Sequence, residues 1–171
     1  MALLGIPSGV GSSITPVVVG IALVACGEML RLWAVRHIGT ISRTRGDRLG
    51  PLISSGPFAF VRNPLYIGNV ALWVGFTMAA RILWLVPVVL VVLGLEYHAI
   101  VRWEEDLLTA RRGDDYRTYA GRVPRWIPFL KSGGAATTPT LHSWRATFFS
   151  ERGTLIAIGG GLLLLWIKSQ L

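Results

Sequence analysis

Four apolar runs, separated by polar or basic stretches, limit what this chain can fold into. The first is "PVVVGIALVACGEMLRLWAV", residues 16–35. Twenty residues in a helix rise about 30 Å, one hydrocarbon core. The second covers residues 65–80. Arg81 interrupts it, and the third follows at 82–103. Fused, they would make a helix of roughly 38 residues, far longer than one bilayer needs. A tight hairpin at Arg81 is therefore expected. The fourth run, residues 153–167, is short for a span at about 22 Å. Its glycines, Gly159, Gly160 and Gly161, fit either close helix packing or a weak, kinked helix.

Composition agrees with the runs. Of 171 residues, 52% are hydrophobic and 15% charged, against about 25% charged in ordinary soluble domains. Mean hydropathy is +0.54. The expected class is an all-α integral membrane protein of about four transmembrane helices. A single cysteine, Cys26, allows no internal disulfide and no cysteine-based metal site, and no metal is expected. The net charge of +8 fits basic loops held on the cytoplasmic side better than nucleic-acid binding, for which no motif is present.

Residues 1–15 hold no positive side chain, so the first run reads as a retained span, not a signal peptide. Arginines crowd the stretches 36–62 and 102–152, whereas the hairpin carries Arg81 alone. Both basic stretches are expected in the cytoplasm, with the N-terminus, the Arg81 turn and the C-terminus outside. Three parts follow: a core over 1–130, a Gly/Ala/Thr/Pro linker over 131–140, and an interfacial helix plus a short C-terminal span over 141–171.

The second run opens on "GPFAFVRNPLYIGN", residues 56–69. Asn63 and Pro64 make a helix start, as N-cap and first helical residue. Arg62 suits a phosphate or carboxylate, and Tyr66 suits the interface or a ligand. The third run ends on Glu104 and Glu105. A helix C-terminus disfavours such charge unless the helix continues beyond them. Within the bilayer, Glu28 and Arg31 stand at i, i+3, and Glu96 lies on the third run. Intramembrane charge is costly and faces a partner or a cavity. Glu28 and Arg31 thus form either a structural pair or a contact for an acceptor's polar head. His37 and His98 are further polar candidates.

Five motifs occur in order: Gly56-Pro57-Phe58; Arg62-Asn63-Pro64-Leu65-Tyr66-Ile67-Gly68; Glu104-Glu105-Asp106-Leu107-Leu108; Tyr116 with Tyr119; and Val123-Pro124-Arg125. Together, over about residues 36–128, they resemble the membrane-embedded methyltransferases that include isoprenylcysteine carboxyl methyltransferases and phospholipid N-methyltransferases. One departure stands out. Asn63 occupies the place of the usual His, so no role that needs a titrating imidazole is carried over to it.

The resemblance implies S-adenosylmethionine as methyl donor, held in a cytoplasmic segment between the third and fourth spans, and a lipid or lipid-modified acceptor. It places Asn63, Pro64, Tyr66, Gly68, Glu104 and Glu105 at the cofactor, with Gly39 allowing close backbone approach. Arg62 and Glu105 become the catalytic candidates. Arg62, Tyr119 and the intramembrane Arg31 and Glu28 are the acceptor candidates. Two other readings compete: a nicotinamide-dependent membrane reductase and a non-catalytic membrane scaffold. No GxGxxG loop is present to support the first.

Overall fold

A computed structural model describes residues 13–39, 52–128 and 141–170. The expected linker at 131–140 lies outside the described residues, as do much of the first basic stretch and residues 1–12. Five α-helices account for most of the described chain: α1 (Thr15–Ile38), α2 (Pro64–Ala79), α3 (Val86–Arg112), α4 (Asp114–Arg122) and α5 (Trp144–Gln170). There is no strand among the described residues.

Three stretches are long and apolar enough to cross a membrane: Thr15–Ile38, Leu83–Arg112 and Trp144–Gln170. The chain is a multi-pass membrane protein. The helix Pro64–Ala79, expected as a full span, has 16 residues and rises only about 24 Å. Conversely, the C-terminal region expected as an interfacial helix plus a short span is one continuous helix of 27 residues. Its start is fixed by Ser143, whose hydroxyl accepts the Ala146 N–H at 3.2 Å. Its apolar stretch is lengthened by Ala146, Phe148 and Phe149, so the short run 153–167 understated it.

α1 and α2 are antiparallel and meet along glycines. A Cβ on Gly20 would lie 2.5 Å from the Gly75 carbonyl oxygen and the Ala79 nitrogen, and one on Gly27 would lie 2.8 Å from the Gly68 oxygen. Gly20 and Gly27, like Gly68 and Gly75, are seven residues apart, so each pair returns to one face after two turns. Without a hydrophobic force between helices in lipid, such small residues let backbones touch. The α2–α3 turn is tight, as expected. Arg81 adopts φ 61°, and its N–H donates to the Met78 carbonyl at 2.9 Å.

α5 runs the height of α2. Gly161 packs on the Phe76 ring, and Lys168 Nζ donates to the Ala80 carbonyl at 3.1 Å. At the other end, His142 N–H donates to the Arg36 carbonyl at 2.9 Å, and the Arg36 guanidinium sits 4.3 Å from the Trp144 ring centroid. The C-terminal end of α1 and the N-terminal end of α5 therefore share one end of the bundle. The large side chains left outside, such as Leu95, Ile156 and Leu164, are apolar, as a lipid-facing surface requires.

Candidate functional site

The polar end is built where α2 begins and α3 leaves the apolar zone. α3 does not stop at Trp103. It continues to Arg112 and ends at Gly113, which takes φ 53°, a conformation glycine adopts without strain. Glu104 and Glu105 therefore sit inside a helix, and the objection to negative charge at a helix C-terminus does not apply.

Glu105 is the centre of the cluster. Its Oε1 is 2.9 Å from Arg62 Nη1. Arg125 grips both its oxygens, Nε to Oε1 at 3.1 Å and Nη2 to Oε2 at 2.6 Å. This is a two-pronged guanidinium–carboxylate pair, the strong geometry for such ions. The Glu105 hydrogen bond raises the Arg125 pKa. The backbone is tied down as well. Arg62 N–H donates to the Pro124 carbonyl at 2.9 Å, and the Asn63 side-chain amide donates to the Arg125 carbonyl at 3.1 Å. Asn63 occupies the N-cap position of α2 but makes no side-chain cap bond; its amide holds the 123–125 segment instead.

Beside this cluster, Tyr66 donates to Glu104 Oε1 at 2.9 Å, and its ring lies 4.8 Å from that of Tyr97. The structure thus brings Arg62, Asn63, Tyr66, Glu104 and Glu105 to one place, across a gap of about forty positions in sequence. Pro64 is buried in the first turn of α2.

Other expected site residues lie apart from it. Gly68 faces α1, where a Cβ would meet Arg31 Cγ at 2.6 Å; it serves the helix seam. Gly39 lies against the His142 imidazole, and Gly56 against that of His37. His37 Nδ1 is 2.9 Å from the Trp33 carbonyl oxygen, so this histidine is packed within the fold, and His98 is exposed. Arg31 and Glu28 do pair, at 3.4 Å. Arg31 also bonds Asn69 and Glu151, so its donors are directed at protein.

Tyr119 is buried, and its hydroxyl donates to the Phe58 carbonyl at 2.8 Å, tying α4 to the turn Gly56–Ala59. Burial raises the pKa of Tyr119 above the ordinary phenol value, and burial does the same for Tyr116. Such a tyrosine does not take up a proton at neutral pH. The folded state holds the Tyr119 proton more tightly than the unfolded chain. Its stabilising contribution is complete below about pH 10 and is lost as pH climbs through the raised value. Tyr119→Phe is expected to cost about 1 kcal/mol at neutral pH through the lost hydrogen bond, and to flatten the decline in stability at alkaline pH. Thermal unfolding followed from pH 8 to 11 checks both. An unchanged alkaline slope would contradict the assignment.

Sequence reasoning missed the weight of Arg125, Asn69, Tyr97 and Glu151. Arg125 was visible only as the end of a motif. Nothing in the spacing says that its guanidinium returns to Glu105.

The pattern of the phospholipid methyltransferase family matches residues 15–113, more than half of the chain. The protein belongs to the phospholipid methyltransferase family. Among curated relatives, the nickel-cobalt-cadmium resistance protein of Alcaligenes xylosoxydans xylosoxydans is 28% identical over 124 residues, covering 72% of this chain and 55% of the relative. The cobalt-zinc-cadmium resistance protein of Cupriavidus metallidurans is 29% identical over 123 residues, covering 72% and 52%. The protein-S-isoprenylcysteine O-methyltransferase of Mus musculus is 28% identical over 120 residues, covering 66% and 41%. The chain thus spans about half the length, or less, of the curated relatives it matches. No solved structure matches it significantly. In this member of the phospholipid methyltransferase family, the match takes in Arg62, Glu104 and Glu105 but ends before Arg125 and all of α5.

Proposed function

We propose that the chain is an S-adenosylmethionine-dependent methyltransferase acting on a lipid or lipid-modified acceptor at the cytoplasmic face of the membrane. The observation that carries the reading is the Arg62–Glu105–Arg125 cluster, with Asn63, Tyr66 and Glu104 beside it, at the end of apolar helices in a chain of this family. The donor set suits the cofactor. Arg62 Nε is buried without a hydrogen-bond partner among the described residues, a spare donor for a carboxylate. Glu104 and Glu105 are acceptors for an ammonium or ribose hydroxyls. The cofactor supplies an activated methyl group when bound.

The protein's own residues have a limited chemical task. A methyl displacement with a neutral thioether leaving needs little acid catalysis. Its rate comes from alignment and from excluding water. The ion cluster holds the 62–63 and 123–125 segments and α3 in fixed relation, which supplies the alignment. For the acceptor, a groove of about 300 Å³ lies between α1 and α5, lined by Ile21, Val24, Met29, Leu155 and Leu162 with Glu28 among them. Its apolar walls favour a hydrocarbon chain. The basic stretches favour a cytoplasmic site, and the reading takes α2 as a fourth, short membrane helix that the adjoining turn and its neighbours complete.

Two assays test the reading. Detergent-purified protein is expected to bind S-adenosylmethionine, and Arg62→Ala to weaken that binding at least tenfold, the loss expected of a charged hydrogen bond worth about 1.5–3 kcal/mol. Radiolabelled methyl groups are expected to enter a total lipid extract, whose mass analysis then identifies the acceptor. Binding of NADPH without binding of the methyl donor would overturn the proposal.

A further inference from the structure

Glu151 is 1% exposed, the most deeply buried acid among the described residues, and the cluster at Glu105 does not use it. It stands on α5, outside the residues that match the family. Its carboxylate pairs with Arg31 of α1, whose guanidinium also donates to Thr154 at 3.2 Å and to the Asn69 side-chain oxygen on α2. A guanidinium in the apolar zone needs partners; here α2 and α5 hydrogen-bond its two amino groups, and Glu28 of α1 lies 3.4 Å from its Nε.

The contacts do not end at Asn69. Asn69 stands one turn from Tyr66 on α2, and the Tyr97 phenol on α3 lies close enough to feel both Asn69 and Arg31. The Tyr97 ring stacks at 4.8 Å on Tyr66, and Tyr66 donates to Glu104 at 2.9 Å. Polar and ring contacts, with one helical turn between Asn69 and Tyr66, therefore lead from α5, through α1, α2 and α3, to a carboxylate of the proposed cofactor site.

We propose that Arg31, Asn69 and Tyr97 are positioning residues that fix Tyr66 and Glu104 from within the bilayer, and that α5 completes the site by holding Arg31 through Glu151. The role given to Glu104 rests on the methyltransferase reading; the coupling between α5 and Tyr66 does not. The site of this chain is thereby built by four helices, including one beyond the family-matched segment.

The test uses full-length protein in detergent with Glu151→Gln, Tyr97→Phe and Tyr66→Phe, singly and as the pair Glu151→Gln/Tyr66→Phe. Tyr97→Phe keeps the ring and removes the hydroxyl, so the middle link is probed without an altered core. The first readout is binding of S-adenosylhomocysteine. Glu151→Gln and Tyr97→Phe are each expected to weaken it five- to tenfold, and the double variant to be no weaker than Tyr66→Phe alone. Glu151→Asp, which keeps the charge, is expected to recover part of the loss; a purely structural role for Glu151 would show no such dependence. Wild-type binding that Glu151→Gln and Tyr97→Phe leave unchanged overturns the inference and spares the methyltransferase reading. No binding by the wild type overturns that reading instead. The melting temperatures of the same four proteins then decide the inference. A double-variant shift clearly different from the sum of the single shifts supports the coupling between residues that do not touch. Additive shifts overturn it.

Discussion

Glu105→Gln is expected to remove donor binding and methyl transfer by at least two orders of magnitude and to lower the melting temperature. The substitution keeps the size of the side chain and deletes its charge. Arg62, whose side chain is 14% exposed, and Arg125, at 33%, then face each other with no counter-ion between them. Breaking a buried ion pair by removing one partner costs roughly 3–5 kcal/mol, because the remaining charge stays desolvated. Arg125 is exposed enough to recover some hydration, so the lower end of that range applies. A loss of about 3 kcal/mol is roughly a hundredfold in binding or rate. Two companions separate charge from place. Asp106→Asn removes the adjacent acid, which is exposed, and is expected to be silent. Arg125→Lys keeps a cation but loses the two-pronged grip on Glu105, and is expected to fall between the other two. Calorimetric titration with S-adenosylhomocysteine and thermal unfolding report the outcome. A Glu105→Gln protein that binds and melts like the wild type would remove Glu105 from the centre of the site.

The elements of this cluster were legible in the sequence to unequal degrees. Arg62, Asn63 and Tyr66 stand at a helix start marked by Pro64, and the hairpin at Arg81 follows from length alone. Two acids after an apolar run therefore had to return to the same end. The continuation of α3 to Arg112 was left open by the sequence: no glycine or proline breaks the helix between Trp103 and Gly113, but hydropathy reports where a run leaves lipid, not where a helix ends. Arg125 was not assignable, because its reach depends on how α4 folds back and how Tyr119 pins it to Phe58. Glu151 escaped for a different reason. In sequence it sits among Ser150, Arg152 and aromatic residues and reads as interfacial; only the packing of α5 on α1 turns it inward to Arg31. The glycines were ambiguous one at a time. Gly68 matched a site motif, yet its neighbours in space are Gly27 and Arg31.

That seam gives the second large effect. Gly20→Ala and Gly75→Ala are each expected to lower the melting temperature strongly, with overpacking costs at or above the usual range of about 1–3 kcal/mol. The reason lies in what the new methyl meets. At Gly20 the nearest atoms are the backbone oxygen of Gly75 and the backbone nitrogen of Ala79, both at 2.5 Å, and at Gly75 they include the backbone oxygen of Gly20 at 2.6 Å. A side chain can rotate aside, but a helix backbone cannot, so the two helices must separate. Separation also strips the dispersion contacts that hold helices together in lipid. Once they have separated, a second methyl in the same seam finds space, so the double variant is expected to be less destabilised than the sum of the singles. Gly94→Ala supplies the contrast. It lies within α3, where an added methyl would find no atom within 4 Å, and alanine favours the helix by about 0.5–1 kcal/mol. That variant is expected to melt at or above the wild-type temperature. Since α1 carries Arg31, loosening the seam is also expected to weaken donor binding, whereas Gly94→Ala leaves it intact. Equal melting temperatures for Gly20→Ala and Gly94→Ala would show that α1 and α2 do not meet backbone to backbone.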